Sequence, residues 1–292
     1  MKVLLPSDRS AASLHAARLL AEYRGERSQI EPVLLNVQRP VLKAWPGHGL
    51  DRAAIEAALR EEGMAELQAA QEILSRAGFA PELVVRLGHV PHWIVDEARE
   101  RGAGAIVMGT RGHGALGGFA LGSVALRVVQ GSEVPVVLVK PESRLPAGLG
   151  GHARIVVPVD GSDEATMAAV RLARCANVLG RLHVDVVHFQ QPLTVLEAIV
   201  PPHRDALSSW SGREAGEAVA RAREALAAGG VEHEVHLLAG DPATGIAQFA
   251  KDRSADLIAM STRGLGALHH AFIGSVALKT ADLSPVPVAL MR

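Results

Sequence analysis

A self-similarity at one fixed offset constrains this chain more than any other feature. Val3-Leu4-Leu5-Pro6-Ser7-Asp8-Arg9-Ser10 aligns with Ile155-Val156-Val157-Pro158-Val159-Asp160-Gly161-Ser162, and Asn36-Val37-Gln38 with His188-Phe189-Gln190. Met108-Gly109-Thr110-Arg111-Gly112 aligns with Met260-Ser261-Thr262-Arg263-Gly264, and Gly122-Ser123-Val124-Ala125-Leu126 recurs unchanged from Gly274 to Leu278. Asp8 to Asp160, Asn36 to His188 and Gly122 to Gly274 are each 152 residues apart. Chance similarity does not hold one offset over four separated blocks, so the chain is a tandem duplication. Its 292 residues suit two domains at about 150 residues each. The segment from Pro141 to Gly151 has no apolar period and carries two Pro and three Gly, which marks a linker. The expected division is a first domain over 1–140, a linker over 141–153 and a second domain over 154–292.

Within each copy, short apolar runs alternate with helical periodicity. Val3–Leu5, Val33–Val37, Leu83–Leu87, Ala105–Met108 and Val136–Val139 read as strands. Helices are expected over Ser10–Glu22, Asp51–Ala77, Pro91–Glu100 and Ser123–Val129, with Gly78 ending the second. Continuously apolar strands separated by helices imply a parallel sheet covered on both faces. The fold class is therefore α/β, and it resembles the Rossmann-like folds of the HUP type. It comprises two tandem doubly wound domains, each a five-stranded parallel sheet of order 3-2-1-4-5 with helices on both faces. The switch point lies between the first and fourth strands.

Composition excludes several functions. Thirty Lys and Arg against 31 Asp and Glu, with 3% aromatic residues, fit neither a phosphate-backbone binder nor a stacking platform for single strands, so no nucleic-acid partner is expected. Every apolar run falls short of a membrane span, and Met1-Lys2 leads into a run too short and too acidic for a signal peptide, so no membrane partner and a cytoplasmic location are expected. The single cysteine, Cys175, on the apolar face of a helix, reads as a buried inert thiol. His233 and His236, three apart on a strand, point to opposite faces, and no metal site is expected.

In such a sheet ligands bind beyond the carboxyl ends of the strands at the switch point. Two segments reach it: Pro6-Ser7-Asp8, and the stretch from Gly109 to Ser123, in which six glycines fall within fourteen residues. Glycines that adopt positive φ let main-chain N–H groups converge on an anion, and a helix beginning at Ser123 offers unpaired N–H groups and the positive end of its dipole. The competing reading is a surface loop, with Asp8 engaged in turn chemistry ahead of the Ser10 helix.

Gly109-x2-Gly112-x9-Gly122-Ser123 resembles the G-x2-G-x9-G-[S/T] signature of the ATP-binding branch of the universal stress proteins, and the likeness extends over both copies. The resemblance implies that Pro6, Ser7 and Asp8 flank the adenosine and that Val37 meets the adenine edge through its backbone. Met108 and Gly109 then lie beside the ribose, and Gly112, Gly122, Ser123, Val124 and Ala125 hold the phosphates, with Arg111 at the mouth. It further implies an adenine nucleotide as ligand: ATP, with ADP or AMP as alternatives; the residues themselves leave open a magnesium ion bridging the phosphates through Ser123 and water.

The second copy keeps Pro158, Asp160, Gly264, Gly274 and Ser275 but places Ser261 at the first motif glycine and Phe189 at the adenine edge. If position 261 requires positive φ, a side chain there costs about 1–3 kcal/mol, and Phe189 crowds the slot, so the second site is expected to be weakened or empty. No Asp, Glu or Lys lies between Gly109 and Ser123 or between Ser261 and Ser275, and G-x4-G-K-[ST] is absent, so no catalytic residue is assigned and little or no hydrolysis is expected. The apolar closing strands Val134–Val139 and Val286–Leu290 lead to an expectation that the two domains pair as an internal pseudo-dimer, with a homodimer also open. The function expected is nucleotide binding in stress response or signalling; the alternative is a regulatory scaffold of the same fold that binds no nucleotide. An adenine-nucleotide α-hydrolase is disfavoured, because the Ser-Gly-Gly-x-Asp-Ser loop and His-x-Gly-His motif are missing.

Overall fold

The structure, a computed structural model, describes residues 1–26, 29–39, 52–110, 121–190, 204–264 and 273–292, with backbone only over 204–215. The chain divides into two compact units, Met1–Leu145 and Pro146–Arg292. The first contains β1 (Lys2–Pro6), α1 (Ala11–Ala21), β2 (Glu31–Gln38), α2 (Arg52–Arg76), β3 (Glu82–Leu87), α3 (Val90–Glu100), β4 (Ala105–Gly109), α4 (Ser123–Gly131) and β5 (Val136–Val139). Its strands lie in the order β3-β2-β1-β4-β5, all parallel. The second contains β6 (His152–Pro158), α5 (Asp163–Leu179), β7 (Arg181–Gln190), α6 (Arg204–Ala228), β8 (Glu232–Ala239), α7 (Pro242–Asp252), β9 (Leu257–Ser261), α8 (Ser275–Leu283) and β10 (Val288–Met291). Its order is β8-β7-β6-β9-β10, again all parallel. These are the doubly wound sheets that the sequence predicts. Right-handed crossovers put α1 and α2 on one face of the first sheet and α3 and α4 on the other. In the second unit α5 packs on α6, and α7 on α8.

The strands are buried because both faces are covered: Leu4, Leu5, Leu34, Leu35, Ile106, Ile155 and Ile258 are all but sealed from solvent. The long helices stop where expected. Gly78, at φ 85°, lets Phe79 N–H return to the Leu74 carbonyl at 3.0 Å. Gly230, at φ 66°, does the same for Val231 and Leu226 at 2.9 Å. The half-buried Cys175 is less enclosed than expected, although burial still pushes its thiol above the ordinary range against the opposing pull of Arg171.

The turn from the first strand into the first helix is built identically in both units. Ser10 caps α1 by accepting from Ser13 N–H at 3.2 Å, and Ser162 caps α5 by accepting from Ala165 N–H at 3.1 Å. The residue before each cap is left-handed: Arg9 at φ 59° and Gly161 at φ 88°. Gly161 adopts this freely, whereas Arg9 sets its Cβ against its own carbonyl.

A different constraint acts at the end of the fourth strand. Gly109 is not among the positive-φ residues, and neither is Ser261. The conditional strain at position 261 is therefore absent. A Cβ on Gly109 would instead fall 2.6 Å from Ala12 Cβ, 2.8 Å from the Ala12 carbonyl carbon and 2.9 Å from Ser13 N. Glycine is needed in the first unit because the α1 backbone lies on it. Ser261 is accommodated in the second, buried, with Oγ donating to the Arg263 carbonyl.

Three outcomes follow from these local constraints. Arg9→Gly stabilises the chain by about 0.5–1 kcal/mol in urea unfolding, the left-handed penalty less the extra chain entropy of glycine. Gly109→Ser destabilises it by about 1–3 kcal/mol through overpacking against α1, although the same serine stands at 261. Asp241, which caps α7 and accepts from Thr244 Oγ1, Thr244 N–H and Lys279 Nζ, has its carboxyl held down to about 2. Its stabilisation is therefore complete above its unfolded pKa of about 3.9 and is lost as pH falls toward 2, so the slope of melting temperature against pH in that window flattens in Asp241→Asn.

Candidate functional site

The carboxyl ends of β1 and β4 are neighbours in the first sheet, and the chain leaves both in the same direction. Pro6 is the last residue of β1 and Ser7 follows it, 5% exposed, with its N–H donating to the Leu35 carbonyl at 2.9 Å. Asp8 lies at the rim, where its Oδ1 accepts from Ser10 N–H at 3.1 Å and Ser10 Oγ at 2.6 Å. The turn chemistry weighed for Asp8 is thus present. Met108 and Gly109 end β4, and Thr110, 5% exposed, donates its N–H to the Val139 carbonyl at 3.0 Å.

The two ends of the glycine segment meet. Gly122 N–H donates to the Thr110 carbonyl at 2.8 Å, and Gly274 N–H to the Thr262 carbonyl at 2.7 Å. The N-cap of α4 is Gly122 and that of α8 is Gly274, and neither helix has a side-chain cap. In α4 the internal ladder begins with Leu126 N–H to the Gly122 carbonyl at 2.9 Å. The N–H groups of Ser123, Val124 and Ala125 therefore have no partner within the helix. Helices α1, α5 and α7 each carry a capping side chain, and α3 has Pro91 in its first turn. The loop helices thus present bare donors and the positive dipole end at the strand-end crevice, a geometry suited to an anion. Ser123 and Ser275 are solvent-exposed at these helix starts. Gly122 and Gly274 have φ of −56° and −62°, so they do not provide the left-handed backbone expected of motif glycines.

Two buried hydroxyls at this crevice, Ser7 Oγ and Thr110 Oγ1, have no hydrogen-bond partner among the described residues. Each such group costs about 1–3 kcal/mol and calls for a reason beyond folding. Thr110 was not among the candidate residues; its recurrence as Thr262 was the available signal. Asn36 was also missed. Its Nδ2 donates to the Ser7 carbonyl at 2.8 Å, and its counterpart His188 reaches the Val159 carbonyl through Nδ1 at 2.9 Å. Both tie the first turn to the second strand, beside Val37 and Phe189. Arg111 and Gly112 lie outside the described residues.

The second unit differs in detail. Val159 stands where Ser7 offers a hydroxyl. Pro158 ends β6, and Asp160 Oδ1 accepts from Ser162 N–H at 3.0 Å and Ser162 Oγ at 2.6 Å. Asp160 Oδ2 lies so near Gly264 that a Cβ there would collide with it, which brings the strand end and the glycine segment together. The Phe189 ring lies against Gly245 of α7, where a Cβ would likewise collide. Phe189 is therefore engaged on the helix rather than simply standing in an adenine slot. Position 245 corresponds to Trp93, so a large side chain has moved from helix to strand between the copies.

The model of the Universal stress protein family matches residues 1–140 and again 152–292. Universal stress protein YxiE of Bacillus subtilis is 34% identical over 146 residues, 48% of this chain and 98% of its own length. A universal stress protein of Mycolicibacterium smegmatis is 27% identical over 309 residues, 99% of this chain and 96% of its own length. A crystal structure of a universal stress protein from Archaeoglobus fulgidus has the same fold, with a TM-score of 0.66 at 23% identity, covering 100% of this chain and 96% of that one. One copy of this chain thus spans what YxiE spans whole, while the mycobacterial relative aligns along both. The chain belongs to the universal stress protein family and carries its domain twice in tandem.

Proposed function

We propose that the first domain binds an adenine nucleotide, ATP foremost, and that the protein serves stress response or signalling in the cytoplasm as a binding protein rather than an ATPase. The observation that carries this reading is the amino end of α4, without a side-chain cap and pinned to Thr110 beside two buried hydroxyls that have no partner among the described residues. The N–H groups of Ser123, Val124 and Ala125 receive the phosphates, with the Ser123 hydroxyl in reach of a bridging magnesium. Ser7, Asp8, Val37, Met108 and Gly109 line the nucleoside side. Arg111 and Gly112 belong to this proposal on the strength of the motif alone. The motif segment lacks Asp, Glu and Lys, which supports slow or absent hydrolysis. No helix among the described residues is long and apolar enough to cross a membrane. Pairing of the domains through their closing strands belongs to the same reading and rests on the sequence of those strands.

The second domain is the weaker site in this proposal. The ground is the missing hydroxyl at Val159, in place of backbone strain at Ser261.

Calorimetry with ATP, ADP and AMP, with and without Mg2+, tests the reading. One ATP per chain is expected, and Gly122→Arg abolishes binding while the circular dichroism is unchanged. Thr110→Val, which keeps the shape but removes an orphaned hydroxyl, weakens ATP about tenfold yet leaves the free protein as stable or more so. Two nucleotides per chain overturns the ranking of the domains. None at millimolar ATP overturns nucleotide binding and leaves the scaffold.

A further inference from the structure

The second domain carries a polar cluster that the first lacks and that the nucleotide reading does not use. Asp185, in the middle of β7, is fully buried. The register places His183 opposite Arg154 and Glu232, Asp185 opposite Glu234, and Val187 opposite His236. Residues two apart on a strand share a face, so His183, Asp185, Glu234 and His236 gather on one side of the sheet. Their counterparts in the first domain are Glu31, Val33, Glu82 and Val84. A carboxylate has entered a core position accompanied by two imidazoles.

The contacts leave part of this cluster unsatisfied. Arg154 Nη1 lies 3.3 Å from Asp185 Oδ2, and His236 Nε2 lies 2.9 Å from Asp185 Oδ1. His183 Nε2 is buried 3.7 Å from the same Oδ1, beyond hydrogen-bond reach, and has no partner among the described residues. One ligand atom each from His183, Asp185 and Glu234 lie within 4.8 Å of one another. Two donors on a tetrahedral ion with bonds of about 2.1 Å stand roughly 3.4 Å apart, so a small movement of Glu234 closes the set. Glu234 has room to make it: its side chain is 52% exposed, on a strand at the edge of its sheet.

We propose that His183, Asp185 and Glu234 bind a divalent transition ion of the Zn2+ type, with His236 orienting Asp185 through Oδ1. The expectation of no metal site rests on the absence of His-Glu-x-x-His, on His233 and His236 facing opposite ways and on His269-His270 reading as surface residues; it does not weigh the pairs His183-x-Asp185 and Glu234-x-His236 on adjacent strands. Imidazole with carboxylates favours such an ion over Mg2+ or Ca2+. Arg253 Nη2, 3.6 Å from Glu234 and 3.4 Å from both ring nitrogens of His236, is the group that must give way. It stacks on Phe249 at 5.4 Å and is partly exposed, so it can swing to solvent. The first domain uses the equivalent helix face differently. There the buried carboxylate is Glu97, at the position of Phe249, and Arg86 and Arg101 already satisfy it, each at 2.5 Å. The ion would fasten β8, whose side chains are largely exposed, to β7.

The test uses the full chain stripped with EDTA and titrated with Zn2+ by calorimetry, with melting followed in parallel. One Zn2+ per chain is expected at a Kd below about 10 µM, with a Zn2+-dependent rise in Tm. His183→Ala and Glu234→Gln each weaken uptake at least about tenfold and remove that rise, with ATP affinity unchanged. The chain has 13 histidines, so His269→Ala/His270→Ala serves as the control and leaves uptake intact. Absence of uptake by the wild type overturns the proposal, as does uptake insensitive to both ligand variants.

Discussion

A single main-chain hydrogen bond sets the geometry of the candidate site: Gly122 N–H to the Thr110 carbonyl. It closes the neck of the glycine segment and occupies the donor of the N-cap residue. The next three N–H groups, which have no partner within α4 and no side-chain cap, lie at the crevice between β1 and β4. Its equivalent, Gly274 to Thr262, is present in the second domain, so the frame of the site has survived duplication even where the lining has changed.

At Gly109 and Gly264 glycine acts through space rather than torsion. Gly109 admits the α1 backbone, Gly264 admits the Asp160 carboxylate, and Gly122 and Gly274 have ordinary extended torsions. Torsional freedom matters instead at Gly161, one turn earlier, where the first domain imposes the same left-handed backbone on Arg9. The two copies have also exchanged volume and charge. Trp93 on a helix gives way to Phe189 on a strand, and the buried carboxylate moves from Glu97 on α3 to Asp185 on β7. Such paired shifts preserve packing density while altering the chemistry that each face presents.

Apolar runs, helical spacing and the 152-residue offset determined by themselves the strand order, the duplication and the crevice at the carboxyl ends of the strands. These are local or repeating signals, and periodicity reports them directly. The motif spacing from Gly109 to Ser123 likewise located the bare helix end. Whether a glycine is there for torsion or for space, that the buried Ser7 and Thr110 hydroxyls find no partner among the described residues, and that Phe189 rests on Gly245 were decided only by the tertiary structure. So was the meeting of His183, Asp185 and Glu234 on adjoining strands. Each depends on which distant backbone lies against a residue, and a parallel sheet sets that distance through register between strands that are far apart in sequence.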